Sequence, residues 1–156
     1  MTGGGSSLPD VQRLLAVLAA GRRCAETGTA FGEGAAAIAS TAVSLVTVEG
    51  DPERAAVARE RLRDLENVEL HVGDWRDVLP AHAPFDFLFF DAGKIDESPE
   101  VIELLAPGGL LVKDDLTPGR AIEGDPVREL LFTHPNLVAA EILTTPQTAA
   151  IVAARR

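Results

Sequence analysis

The strongest constraint on this chain is a regular alternation between two hydrophobic periodicities. Short apolar, β-favouring runs occur at Ser44 to Val48, Val68 to Val72, Phe85 to Phe90 and Gly109 to Val112, and stretches with helical spacing lie between them. Leu8 to Ala20 places Leu8, Val11, Leu14, Leu15 and Leu18 on one stripe, with Pro9 near its start and Gly21 just past its end. In the next clear helix Asp51 can cap, Pro52 suits the first turn, and Ala55, Ala56, Ala58, Leu62 and Leu65 line one side of Glu53 to Leu65. Strands separated by helices at this spacing predict βαβ crossovers and a mostly parallel sheet whose strands are buried on both faces.

The two ends of the chain complete the pattern. Arg22 to Ala25 reads as the first strand because a glycine-bearing loop and an Ala-rich helix near Gly34 to Thr41 follow it. Leu137 to Thr144 and Thr148 to Ala154 are both strand-like, and the linker around Pro146-Gln147 is too short for a parallel crossover, so they form an antiparallel hairpin. The fold expected is an α/β, Rossmann-like sheet of about seven strands, mostly parallel, with an antiparallel C-terminal hairpin and helices on both faces.

At 156 residues the chain is the size of one domain, here residues 8–156, with residues 1–7 as a flexible lead-in. A hydrophobic content of 46% supplies a core that disordered sequences lack. Aromatic residues make up 4%, tyrosine is absent and the net charge is −10, which excludes a base-stacking platform and repels nucleic acid and anionic membrane surfaces alike. The single cysteine, Cys24, allows no internal disulfide and no thiol cluster. Nothing resembles a signal peptide or a membrane span, so a soluble, cytoplasmic protein with a small-molecule partner is expected.

The first five predicted strands each run into an acid: Glu26, Glu49, Asp74, Asp91 and the pair Asp114-Asp115. Singly, each is a helix or turn cap. Together, at the carboxyl edge of a parallel sheet where ligands bind, they would repel one another unless cations or hydroxyl donors were bound. The loop after the first strand, Glu26 to Gly32, reads E-x-G-x-x-x-G; Gly28 and Gly32 allow a tight turn and close approach of a ligand. Glu49 follows Gly28 by 21 positions, and an acid about 20 residues on is the usual partner of ribose hydroxyls. A nucleoside ligand follows. A dinucleotide fingerprint starting at Gly32-Glu33-Gly34, and with it an NAD-binding protein, is the alternative; Glu33 would then face a pyrophosphate with like charge.

In order along the chain, AETGTAFGEG (Ala25 to Gly34), VTVEGDP (Val46 to Pro52), VGDWRDVLP (Val72 to Pro80), FDFLFFDAGK (Phe85 to Lys94) and LLAPGGLLVKDD (Leu104 to Asp115) resemble the motifs of the class I, S-adenosylmethionine-dependent O-methyltransferases, the family of catechol and caffeoyl-coenzyme A O-methyltransferases. The resemblance implies a seven-stranded Rossmann-like methyltransferase fold with S-adenosylmethionine as cofactor and a divalent cation, magnesium, manganese or calcium. It implies that Glu26 and Gly28 border the methionine part of the cofactor, that Gly32 and Asp91 are also cofactor-binding, that Glu49 holds the ribose, and that Asp74 and Trp75 flank the adenine. Asp91, Asp114 and Asp115 would hold the metal, and Lys94 would take the proton of the acceptor hydroxyl, with Asp91 the other catalytic residue.

This sequence departs from the family in three places. Asp114-Asp115 stands where Asp-Asn is usual, Glu33 adds an acid to the cofactor loop, and Lys94 to Pro107 is short. The chain also begins just before the first helix, so the acceptor site is expected to be open or completed by a second copy, which makes a homo-oligomer an expectation. An O-methyltransferase acting on a small hydroxylated, catechol-like or phenolic acceptor is the leading expectation. A non-catalytic protein or subunit that binds S-adenosylmethionine or S-adenosylhomocysteine is the alternative. Lys94 is expected to be the sole lysine on the rim, with Lys113 inside the fifth strand. Trp75 is read either as a cofactor wall or as a core-edge aromatic, and Cys24 and His71 as structural. His82 and His134 fall in turns with no second histidine at ligand spacing.

Overall fold

The computed structural model describes residues 7–156. The lead-in expected over residues 1–7 therefore lies, apart from Ser7, outside the described residues. Ser7 itself is half-buried, and its carbonyl accepts from Gln12 Nε2 at 2.7 Å.

Helix α1 (Pro9–Ala19) leads into β1 (Arg23–Thr27), α2 (Glu33–Ala39), β2 (Ser44–Glu49), α3 (Pro52–Leu62) and β3 (Val68–Val72). A short α4 (Trp75–Val78) and a 3-10 turn (Leu79–Ala81) precede β4 (Phe85–Phe90), and two further 3-10 turns reach β5 (Leu105–Leu116). Helix α5 (Pro126–Thr133) and the hairpin β6 (Leu137–Thr145) and β7 (Thr148–Arg155) follow. One seven-stranded sheet has the order β3-β2-β1-β4-β5-β7-β6. The pairs among β1 to β5 are parallel, whereas β7 runs antiparallel to both β5 and β6.

Side-chain alternation along the central strands builds the two layers of the core. Cys24, Leu45, Phe87, Phe89 and Val112 pack with Val11, Leu15, Ala35, Ile38 and Ala58 from α1, α2 and α3. Ala25, Val46, Val48, Leu88, Phe90 and Leu111 face the opposite layer, with Trp75, Leu79, Ile102 and Leu131. Helix starts follow the predicted chemistry. Asp51 accepts from the Glu53 and Arg54 amides at 2.8 and 3.4 Å, and Pro52 occupies the first turn of α3. At the far end buried Arg128 bonds Asp125 and Glu141, so α5 is tied to β6 by a paired rather than an orphaned charge.

Two strands differ from the reading by periodicity. β1 begins at Arg23 and runs on through Glu26 to Thr27, so Glu26 lies within the strand and not at its end. Polar residues inside a doubly buried strand carry no apolar signal, which is why the sequence pattern stopped short. β5 is longer than Gly109 to Val112, because main-chain pairing extends through Asp114 and Asp115 to Leu116.

Candidate active site

The topological switch lies where β1 sits between β2 and β4, and a ligand crevice is expected beyond those carboxyl ends. Two adjoining clefts, of about 660 and 600 Å³, occupy that edge. They share Gly28, Glu49, Ala92 and Gly93. The first runs toward Asp91, Lys113, Asp114 and Asp115, the second toward Asp74, Trp75 and Lys94.

Glu49 stands at the junction. It is 7% exposed, and its two carboxylate oxygens accept from the Ala30 amide at 2.7 Å and the Asp51 amide at 3.0 Å. The loop after β1 and the cap of α3 thus aim one carboxylate at both clefts. Gly28 has a φ of +82°, and a Cβ there would lie 3.0 Å from the Ala92 Cβ. Only glycine lets the loops after β1 and β4 meet this closely.

Glu26, Gly32 and Gly34 line neither cleft. Glu26 is buried and accepts from the Thr47 hydroxyl at 2.6 Å. Burial, with Asp91 and Glu49 nearby adding to it, pushes its carboxyl up to about 8. A Cβ on Gly34 would lie 2.7 Å from Glu26 Oε1, so the glycine makes room for the carboxylate. Gly32, with a φ of +92°, starts α2, and its α-carbon faces Ala58 and Arg61 of α3. Glu33 is held by Arg61 at 2.9 Å, turned from any ligand toward a neighbouring helix.

On the second cleft Asp74 caps α4 through the Arg76 amide at 2.9 Å and also pairs with the Arg76 guanidinium. Trp75 is the core-edge aromatic of the sequence reading. It is 6% exposed and edge-on to Phe90 in the core, yet it borders the cleft, with the Arg76 guanidinium 4.8 Å from its ring centre. Lys94 is exposed and pairs with Glu97 at 2.9 Å, and that bond drives its pKa upward. It faces the second cleft and does not line the first.

A bulge shapes the aspartate end. Lys113 pairs with Ile151 and Leu116 with Ala149, so β5 carries one residue more than β7 across this span, and Asp115 adopts a φ of +59°. The bulge directs Lys113, Asp114 and Asp115 to one cleft. This corrects the expectation that Lys94 is the sole lysine of the rim. Lys113 donates to the Asp114 main-chain oxygen at 3.0 Å and lowers the pKa values of Asp91 and Asp114, which burial raises, Asp91 to about 7. Asp114 is 6% exposed and its buried Oδ1 has no partner. The carboxylates of Asp91, Asp114 and Asp115 do not all converge within 4.8 Å. An oxygen-only donor set with an orphaned buried anion suits a hard cation, with Asp91 and Asp114 better enclosed than exposed Asp115.

Sequence reasoning missed Thr47, Arg54 and Lys113. Thr47 had a signal, as a hydroxyl in the middle of the apolar run of β2. Arg54, which lines the first cleft, and Lys113 had none, because their positions depend on the α3 cap and on the bulge.

A seven-stranded sheet in this order, with a carboxylate ending β2 at the switch point, defines the Rossmann-like methyltransferase class. The methyltransferase domain family matches residues 25–116, and the chain belongs to it. An O-methyltransferase from Bacillus cereus, solved in complex with SAH, superposes with a TM-score of 0.79 at 23% identity, covering 99% of this chain and 84% of that one. TomG from Streptomyces achromogenes, an O-methyltransferase involved in tomaymycin synthesis and solved with SAM, gives 0.75 at 28% identity, covering 97% and 81%. Among sequences, a protein-L-isoaspartate O-methyltransferase from Burkholderia pseudomallei is 38% identical over 107 residues, 65% of this chain and 33% of the relative. The chain thus spans about a third of the length of that relative. None of the helices among the described residues is long and apolar enough to cross a membrane.

Proposed function

We propose that this chain is an S-adenosylmethionine-dependent O-methyltransferase that acts on a hydroxyl of a small acceptor with the help of a divalent cation. The observation that carries this is Glu49, whose carboxylate is aligned by two main-chain amides at the junction of two clefts of ligand size. When bound, S-adenosylmethionine supplies a methyl group already activated by its sulfonium. The chain's own contribution is alignment. Glu49 accepts from the ribose hydroxyls, Trp75 and Asp74 border the adenine side, and Gly28 lets the cofactor approach the main chain.

At the other end, Asp91 and Asp114 would hold a divalent cation, which would supply Lewis-acid activation of the acceptor hydroxyl. Asp115, exposed on the bulge, adds negative charge to the rim beside them. Lys113 offsets part of the charge on Asp91 and Asp114. Lys94 takes the hydroxyl proton as the neutral amine, after leaving Glu97 and releasing its own proton to solvent. The acceptor is a hydroxyl rather than a carboxylate because Asp91, Asp114 and Asp115 would repel an anion at this rim, even though isoaspartyl methylation is the activity named for the Burkholderia relatives. The Lys94–Glu97 pair favours a second reading, a cofactor-binding protein without turnover, since it keeps the lysine protonated.

Incubation of the protein with S-adenosylmethionine and a panel of catechols, phenols and isoaspartyl peptides, with and without magnesium, separates these readings by mass spectrometry. Magnesium-stimulated methylation of a catechol or phenol supports the first. Cofactor binding without any methylated product supports the second.

A further inference from the structure

Three side chains outside the cleft meet on the flank of the sheet. Register places Glu69 opposite Val46 and His71 opposite Val48, so both leave β3 on the face shared with Trp75 and Leu79. The 3-10 turn after α4 ends at His82. Its main chain is fixed on both sides: the amide donates to the Leu79 oxygen at 3.0 Å, and the carbonyl accepts from the Arg23 guanidinium at 3.2 Å. His71 Nε2 lies 2.7 Å from Glu69 Oε1, and the His71 and His82 rings are 5.4 Å apart between centres. One ligand atom from each of the three lies within 4.8 Å of the other two, and no other group of His, Cys, Asp or Glu among the described residues does so. The expectation that His82 has no second histidine at ligand spacing is thereby corrected, because the spacing is made by the fold and not along the chain.

We propose that Glu69, His71 and His82 form a binding site for a zinc-type divalent ion. Two imidazole nitrogens and one carboxylate oxygen are a borderline donor set that selects zinc over the hard cations suited to the aspartate rim. Tetrahedral zinc holds its ligand atoms about 3.3 Å apart at the usual bond lengths. Glu69 Oε1, now 2.7 Å from His71 Nε2, can open to that spacing because its side chain is 56% exposed, while β3 carries His71 and the pinned turn carries His82. Three protein ligands leave a further position open, and Glu69 and His82 border a solvent-open cleft of about 680 Å³. Arg23 and Glu66 line the same cleft with opposite charges, so the surroundings do not repel a cation.

The bound ion clamps the edge strand to the turn that follows Asp74 and Trp75, and so steadies the wall of the second cleft. It is separate from the aspartate rim in position and in chemistry. Neither role requires the other.

Calorimetric titration of zinc into the metal-stripped full chain tests this. One site per chain is expected, with magnesium failing to compete. His71→Ala and His82→Ala should each weaken zinc binding at least tenfold, while His134→Ala, whose Nδ1 accepts from the Asn136 amide at 3.2 Å, leaves it unchanged. Cobalt should give visible absorption bands that disappear in His82→Ala. Glu69→Gln, on the exposed end of the site, should also weaken zinc and decides the matter if a histidine variant fails to fold. Absence of zinc binding by the parent, or parental affinity in the His82 and Glu69 variants, overturns the proposal.

Discussion

The Thr47 hydroxyl donates to Glu26 Oε2 at 2.6 Å across two adjacent buried strands, and the Thr29 hydroxyl lies 2.6 Å behind it. This short relay partly offsets the cost of placing a carboxyl within the sheet. Burial still raises the folded pKa of Glu26 from 4.5 to about 8, so the folded state holds a proton that the unfolded chain releases. Stability from this group is complete below the unfolded value and is lost as pH rises through about 8. Glu26→Gln mimics the protonated form, so its melting temperature should exceed that of the parent by roughly 5–10 °C at pH 9 and match it below about pH 4. Melting curves that move in parallel with pH would remove Glu26 as the cause.

Glu49 makes a different prediction. A charge-assisted hydrogen bond contributes roughly 1.5–3 kcal/mol, so Glu49→Ala should weaken S-adenosylhomocysteine binding about ten- to a hundred-fold. Calorimetry on a variant with an unchanged circular dichroism spectrum measures this. Parental affinity would mean that Glu49 only organises the loops around Ala30 and Asp51.

Asp91 and Asp114 should bind manganese only as a pair. Asp114→Asn keeps the side-chain size but halves the enclosed charge, and is expected to abolish magnesium stimulation of methyl transfer while leaving S-adenosylhomocysteine binding within about threefold. Crystals soaked in manganese with cofactor should show an anomalous peak between the ends of β4 and β5. Equal activity with magnesium and with a chelator would leave the side chains of Lys113 and Arg54 to supply the positive charge at this cleft.

Lys94 is testable through its partner. Lys94→Met should retain cofactor binding and lose roughly 10²–10⁴ in turnover, the usual range for a general base. Glu97 raises the Lys94 pKa; Glu97→Gln removes that stabilisation of the ammonium, so the pH at which activity rises should move downward. Lys113→Met should not reproduce that displacement. A pH profile unmoved by Glu97→Gln would make Lys94 a surface lysine.

The sequence carried the architecture through its periodicities. Apolar strands, the Asp51-Pro52 helix start and the short link at Pro146-Gln147 are local signals, and each matches an element of the fold. The rim acids Glu49, Asp74 and Asp91 were legible for the same reason, since each follows an apolar strand. Other features depend on tertiary structure. Glu26 and Thr47 are polar residues that tolerate burial only because they bond each other. Lys113 reaches the cleft because Asp115 takes a positive φ that opens a bulge. His71 and His82 are neighbours only once β3 pairs with β2 and the turn after α4 folds back against the sheet. Local periodicity encodes none of these.

The most direct test of the central claim is calorimetric titration of S-adenosylhomocysteine into the full chain. Saturable binding at one site per chain, weakened by Glu49→Ala and competed by S-adenosylmethionine, is the result predicted. No heat of binding at millimolar ligand, with the protein folded and monodisperse, would contradict a cofactor site between Gly28, Glu49 and Trp75.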